Sequence, residues 1–224
     1  MTNIHIAIDG PAGAGKGTVA KELADRLNLI NLDTGAMYRC VAYAAKNAGV
    51  ESDDNDSLGR ILNEIRIVFE DKGKTVILNG EDVTTKIRTD DINKRVGGIS
   101  INPFVRKALV EKQQAYAEGK DIVMEGRDIG TVVLKDSPYK FYLDADPKER
   151  ARRRFEQNKE KNIPGTYDEI LADIIRRDEL DMNRETDPLR LAEDAIYIDS
   201  SLITASEVCD IIISHIERIK RGEK

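Results

Sequence analysis

Apolar positions along this chain switch repeatedly between a period of two and a period near 3.6 residues. Ile4, Ile6 and Ile8 form a β-branched run that predicts a short buried strand, and Val19, Ala20, Leu23, Ala24 and Leu27 then recur at helical spacing. Leu29 to Leu32 reads as a second strand ending at Asp33-Thr34-Gly35. Met37, Cys40, Val41, Ala44, Ala45 and Ala48 follow on one helical face, with Gly49 as the stop. A polar stretch, Glu51 to Ser57, precedes a short helix carrying Leu58, Ile61, Leu62 and Ile65.

The texture then changes. I-R-I-V-F-E, T-V-I-L and E-D-V are separated by D-K-G-K and by Asn79-Gly80, a pair suited to the positive φ angles of a type I′ turn. Two hairpins and a small antiparallel three-stranded sheet are expected, inserted at about 64–84. Thr89 to Ile101 reads as a helix, loosened by Gly97-Gly98. Asn102 is placed to cap a further helix that begins at Pro103 and ends before Gly119. Ile122 to Met124 and Tyr139 to Leu143 read as buried strands. Lys148 to Lys161 is a basic helix, Tyr167 to Arg184 a long helix before Pro188, Ala195 to Ile198 the last core strand, and Ser206 to Arg218 a closing amphipathic helix.

This alternation predicts one α/β domain over residues 1–224, a five-stranded parallel sheet with helices on both faces. Ligands in such sheets bind beyond the carboxyl ends of the strands. The exits here are Asp9-Gly10, Asp33-Thr34, Glu125-Gly126-Arg127-Asp128, Asp144 and Asp199, all acidic or polar.

The first exit carries the sharpest signal. Gly10, Pro11, Ala12, Gly13, Ala14, Gly15, Lys16, Gly17 and Thr18 lie between the first strand and the first helix, the setting of a phosphate-binding loop. Glycines let the backbone wrap an anion, successive N–H groups point inward, and the helix N-terminus adds positive potential. Lys16 is placed to reach the outer phosphates of a nucleoside triphosphate. Gly17 stands where such loops usually place the serine or threonine that touches Mg²⁺, so side-chain ligation of the metal by this loop is not expected.

Charged residues make up 34% of the chain, mixed in sign, with a net charge of −6, which argues against a general nucleic-acid or membrane surface. No apolar run approaches the length of a membrane span and no signal peptide is visible. The two cysteines, Cys40 and Cys209, lack metal-type spacing and suit a reducing, cytoplasmic compartment. His5 and His215 are the only histidines, and both read as structural, so imidazole acid–base chemistry is not expected.

Glu125, at the end of an apolar strand, occupies a position suited to holding Mg²⁺ directly or through its waters, and Asp33 is a weaker second candidate. Arg39, Arg106, Arg127, Arg177 and Arg184 fall near the strand-exit side, and guanidinium groups suit phosphate recognition. Arg150, Arg153 and Arg154 share a helix face at i, i+3 and i+4, with Lys148, Lys159 and Lys161 on the same helix. Over a transferring phosphoryl group they would neutralise developing charge. Asn162 to Gly165 then supplies a break at which this helix can move as a lid.

L-D-T-G-A-M-Y-R (32–39), G-E-D-V…I-R (80–88), E-G-R-D-I-G-T-V-V (125–133) and R-D-x-x-D-x-N-R (177–184), together with G-K-G-T, make the chain resemble bacterial-type cytidylate kinases over nearly its whole length. The resemblance implies a P-loop NTPase fold with a monophosphate-binding region at about 34–105 and a lid at about 148–166. It implies transfer of phosphate from ATP, with Mg²⁺ held mainly by phosphates and water, to CMP or dCMP. By position, Thr34, Arg106 and Asp128 would read cytosine, while Arg39, Arg127 and Arg184 would hold the acceptor phosphate. Tyr38 and Asp181 would face the sugar. Lys16, Arg127, Arg177 and the lid arginines Arg150, Arg153 and Arg154 would serve the transfer itself. A serine that contacts the base in some relatives falls at Gly97 here. An acceptor that is already a phosphate oxygen needs no strong general base, in keeping with the scarcity of histidine. The residues alone also admit a kinase for a different acceptor, or a nucleotide-dependent switch, although the N-K-x-D guanine motif is absent. A monomer is expected.

Overall fold

The computed structural model describes residues 3–160 and 162–223. The expected alternation is present. In chain order the elements are β1 His5–Asp9, α1 Lys16–Leu27, β2 Ile30–Asp33, α2 Thr34–Asn47, α3 Asn55–Glu64, β3 Ile67–Glu70, β4 Thr75–Leu78 and β5 Glu81–Asp82. Then come α4 Asp90–Ile101, α5 Pro103–Ala117, β6 Ile122–Gly126, β7 Tyr139–Asp144, α6 Pro147–Glu160, α7 Tyr167–Asn183, β8 Ile196–Asp199 and α8 Ala205–Lys220. Lys161, expected to end the basic helix, lies outside the described residues.

The main sheet is parallel in the order β2-β6-β1-β7-β8. Its side chains alternate between two cores. Ala7, Leu32, Ile122 and Met124 face helices α2 to α5, whereas Ile6, Ile8, Val123, Phe141 and Leu143 face α1 and α8. Burial on both faces explains why these strands read as continuous apolar runs. Register brings the ends of β1, β2 and β6 level: Asp9 lies opposite Gly126, and Asp33 opposite Glu125. The polar exits of three strands therefore meet at one edge.

The inserted β3-β4-β5 sheet is antiparallel, as expected, and Asn79 and Gly80 both carry positive φ at its second turn. Its first turn is a single 3₁₀ turn, Asp71–Gly73. That turn presses against β2: a Cβ at Gly73 would lie 1.8 Å from the Asn31 carbonyl oxygen. Phe69, Val76 and Leu78 of this sheet join the core beneath α2, α3 and α5.

Two boundaries differ from expectation. β6 continues through Glu125 to Gly126, because hydrogen bonding to β1 and β2 extends past the apolar run. The segment after it, read from sequence as an exit loop, tightens into one wide helical turn at Ile129–Val133. Asn102 caps α5 as expected, accepting from the Phe104 and Val105 amides, and its amide donates to the Ser52 carbonyl. Replacing Asn102 by Ala is expected to cost about 1–2 kcal/mol of stability, seen as a lower urea midpoint with an unchanged slope.

Candidate active site

The loop from Gly10 to Thr18 closes over the end of β1. Gly10 has φ +147° and packs so closely on β7 that a Cβ would lie 1.9 Å from the Leu143 carbonyl oxygen. Gly13 and Gly15 take φ of +81° and +91°, turning the chain into α1 without side-chain obstruction. Lys16 is buried, and its ammonium donates to the Pro11 carbonyl at 2.7 Å, folding back across the mouth of its own loop. Burial lowers its pKa to about 7, and the neighbouring Arg127 pushes in the same direction.

Gly17, the apparent oddity of the loop, has a steric reason. A Cβ at this position would lie 2.8 Å from Oε1 of Glu125. The carboxylate occupies the space that a serine or threonine side chain would need. Burial raises the Glu125 pKa to about 7, and Asp33 adds to the effect by repulsion. Burial also opposes the charge of Asp33, but Arg39 and Arg88 hold its pKa below the usual range. Asp33 caps α2 through the Ala36 amide and pairs with Arg88 at 2.9 Å. Among the described residues no group of three or more His, Cys, Asp or Glu side chains could hold a metal ion. This donor set fits a Mg²⁺ bound chiefly by phosphate oxygens and waters, with Glu125 and Asp33 as outer partners.

From this loop a cleft of about 1410 Å³ runs beneath α6 and α7 to α4. Arg39, Arg88, Arg127 and Arg177 are among the residues that line it. Arg127 pairs with Asp181 at 2.8 Å. Arg177 has no ion-pair partner among the described residues, and Arg39 only a 3.4 Å hydrogen bond to Asn93. Burial lowers the pKa of both Arg39 and Arg177. Two guanidinium groups are thus held partly out of water with too little negative charge beside them.

Deeper still, Arg106 is almost fully buried and pairs with Asp128 at 2.5 Å and Asp187 at 3.2 Å. Arg184 lies 3.4 Å from Asp128 and 3.8 Å from Asp181, and its Nε donates to the Asp187 carbonyl at 2.7 Å. Arg106 also stands over the ring of Tyr38, 5.7 Å from its centroid. The Tyr38 hydroxyl is buried without a hydrogen-bond partner among the described residues. Thr34 is buried nearby, but its hydroxyl donates to the Glu125 carbonyl at 2.7 Å. At Gly97 an added Cβ would meet nothing within 4 Å, so the missing side chain leaves open space on α4.

The lid arginines divide. Arg154 is exposed toward the cleft. Arg153 is held by Glu149 at 2.8 Å and by the Ser200 carbonyl at 2.6 Å. Arg150 is buried: it pairs with Asp178 of α7 at 2.6 Å and donates to the carbonyls of Ala145 and Ala12. Asp178 in turn accepts from the Ala12 amide at 3.2 Å. In this state Arg150 grips the phosphate loop's backbone rather than offering its charge to a phosphate. Arg88 and Asn93 line the same cleft, Asp178 and Asp187 pair with Arg150 and Arg106, and none of the four was singled out as a site residue from sequence. Arg88 closes the I-R motif and Asp178 sits inside R-D-x-x-D, the only signals available. Asp187 carries nothing local to mark it.

A glycine-rich loop on a parallel sheet, facing clustered guanidiniums across a single cleft, defines a P-loop kinase that passes a phosphoryl group between two anionic partners. The cytidylate kinase family profile matches residues 6–218. The cytidylate kinase of Halalkalibacterium halodurans is 46% identical over 219 residues, covering 97% of this chain and 99% of that protein. That of Bacillus subtilis is 43% identical over 220 residues, covering 97% and 98%. Among solved structures, an uncharacterized protein from Eubacterium ventriosum aligns with 96% of this chain and 99% of its own at a TM-score of 0.52, with 16% identity, a likeness of fold alone. The chain belongs to the cytidylate kinase family.

Two outcomes are expected. Gly17→Ser crowds Glu125 and lowers kcat at least about tenfold, since small displacements at a positioned site are costly; steady-state rates check this. Metal-free ATP favours the charged form of Lys16, so its binding at pH 8 takes up protons. Titration calorimetry in buffers of differing ionisation enthalpy reads that uptake.

Proposed function

We propose that the protein transfers the γ-phosphoryl group of ATP to CMP or dCMP, giving ADP and CDP or dCDP. The observation that carries this reading is that Arg39, held only by Asn93, and Arg177, with no ion-pair partner among the described residues, line the same cleft as the phosphate-binding loop and the buried Arg106–Asp128 pair. Family membership narrows the acceptor to a cytidine monophosphate.

The triphosphate lies along the loop's amides, and Lys16 leaves the Pro11 carbonyl to reach its outer phosphates. Glu125 and Asp33 would hold Mg²⁺ through its waters, and the ion would supply charge that neutralises the phosphates. Arg39, Arg127 and Arg184 hold the acceptor's phosphate, and Arg177 bridges toward the transferring group. Tyr38 and Asp181 face the acceptor's sugar, the tyrosine through its unpaired hydroxyl. Arg106 and Asp128, with Thr34 beside them, meet the base. Guanidinium donors suit the ring N3 and carbonyl of cytosine, and the carboxylate suits its amino group. Uracil reverses donor and acceptor at two of these atoms, and each buried group left unpaired costs about 1–3 kcal/mol.

Catalysis here rests on positioning and charge. The attacking atom is already an anionic phosphate oxygen, so no residue need remove a proton from it. Arg154 and Arg153 close the lid end of the path, excluding water that would otherwise consume ATP. His5 takes no part; its ring bonds the Ala117 carbonyl at the far end of β1. No helix among the described residues is long and apolar enough to cross a membrane, and Cys40 and Cys209 are both free buried thiols, as suits the cytoplasm.

Initial rates with CMP, dCMP, UMP and AMP at fixed ATP·Mg²⁺ test the assignment. CMP and dCMP are expected to exceed UMP and AMP by at least about tenfold in kcat/KM, and Lys16→Ala to lower turnover with CMP by about a hundredfold or more. A folded protein that releases no ADP in the presence of CMP rejects it.

A further inference from the structure

Asp9 is buried at the end of β1, immediately before the phosphate loop, and the phosphoryl transfer just described gives it no role. Its carboxylate is nevertheless fully committed. One oxygen accepts from the Ile129 amide at 2.8 Å and the other from the Gly130 amide at 2.7 Å. Those two amides open the wide turn Ile129–Val133, whose cap position is Asp128. A cap residue ordinarily turns its own side chain back onto such amides. Asp128 does not: it makes no side-chain cap bond, and its carboxylate points the other way, to Arg106 and Arg184.

We infer that Asp9 is a positioning residue for acceptor recognition. It caps the turn from the neighbouring strand, so that Asp128 is released to face the acceptor's base. The register supports this, since Asp9 lies opposite Gly126, one residue before Arg127 and two before Asp128. The fit is close on the far side as well. A Cβ at Gly130 would lie 3.3 Å from an Asp9 oxygen and 3.3 Å from the Lys140 side chain, tight enough that one of them would have to give by a few tenths of an ångström. A residue at the root of the donor's loop thereby sets the orientation of groups that read the acceptor.

This inference rests on the proposed CMP specificity, and its test separates the two. Initial rates with CMP and with UMP are measured at saturating ATP·Mg²⁺ for the wild-type protein, Asp9→Asn and Gly130→Ala. Asparagine sets an N–H₂ against a backbone N–H; alanine pushes on the same contact from the other end. Both are expected to raise KM for CMP and to lower the CMP-to-UMP ratio of kcat/KM by about tenfold or more, as misplacement of a recognition group does. KM for ATP should stay within about twofold. Should Asp9→Asn fail to fold, Gly130→Ala still decides. An unchanged ratio overturns the inference, and so does an equal rise in KM for ATP and CMP, which would mark Asp9 as a brace of the whole sheet edge. A wild-type protein inactive with CMP rejects the functional reading instead.

Discussion

Like charges gathered around one cleft, three of them half-buried, are the constraint on which this structure turns. Arg39, Arg88, Arg127 and Arg177 converge on one cleft, and only some of them are matched by carboxylates. Two positive charges about 4 Å apart repel by about 4 kcal/mol at an effective dielectric near 20. A flexible surface would let them separate. Here each is rooted in a different element, α2, the segment before α4, the exit of β6, and α7; α2, β6 and the segment before α4 are anchored in the core beneath the sheet, and α7 packs against α6. A phosphate group bound among them would offset that repulsion.

The same electrostatics explain the acidic residues nearby. Asp181 holds Arg127, Asp33 holds Arg88, and Asp128 with Asp187 holds Arg106. These pairs keep each guanidinium in place without a ligand. The cluster is under-neutralised rather than neutral, with Arg177 left unmatched among the described residues. Selectivity for an anionic acceptor follows from that imbalance more directly than from any one contact.

Much of this was legible in the chain. The strand–glycine loop–helix pattern, the antiparallel insertion and the caps at Asn102 and Gly49 are local signals, written by residues a few positions apart. The long-range pairings were not. Arg150 reads as one of three arginines on a lid face, and its burial against Asp178 and Ala12 depends on how α6 and α7 pack over the loop. Arg88 and Asp187 are ordinary surface-type residues until the fold brings them to Asp33 and Arg106. The wide turn at Ile129–Val133 is invisible in composition because its cap comes from Asp9, 120 residues away. Gly17 was the reverse case, a sequence anomaly whose cause became plain once Glu125 was found beside it.

The hold of Arg150 and Asp178 on the Ala12 peptide also fixes the fulcrum of any lid movement. Both helices are tied to the loop at that level, so a movement of their distal portions would pivot there. From Arg150 to Glu160 the helix extends about 15 Å at 1.5 Å per residue, and a rotation of about 10° about the pin carries its tip some 3 Å. Arg154 lies only four residues, about 6 Å, beyond the pin, so the same rotation would carry its backbone about 1 Å while the loop beneath stays still.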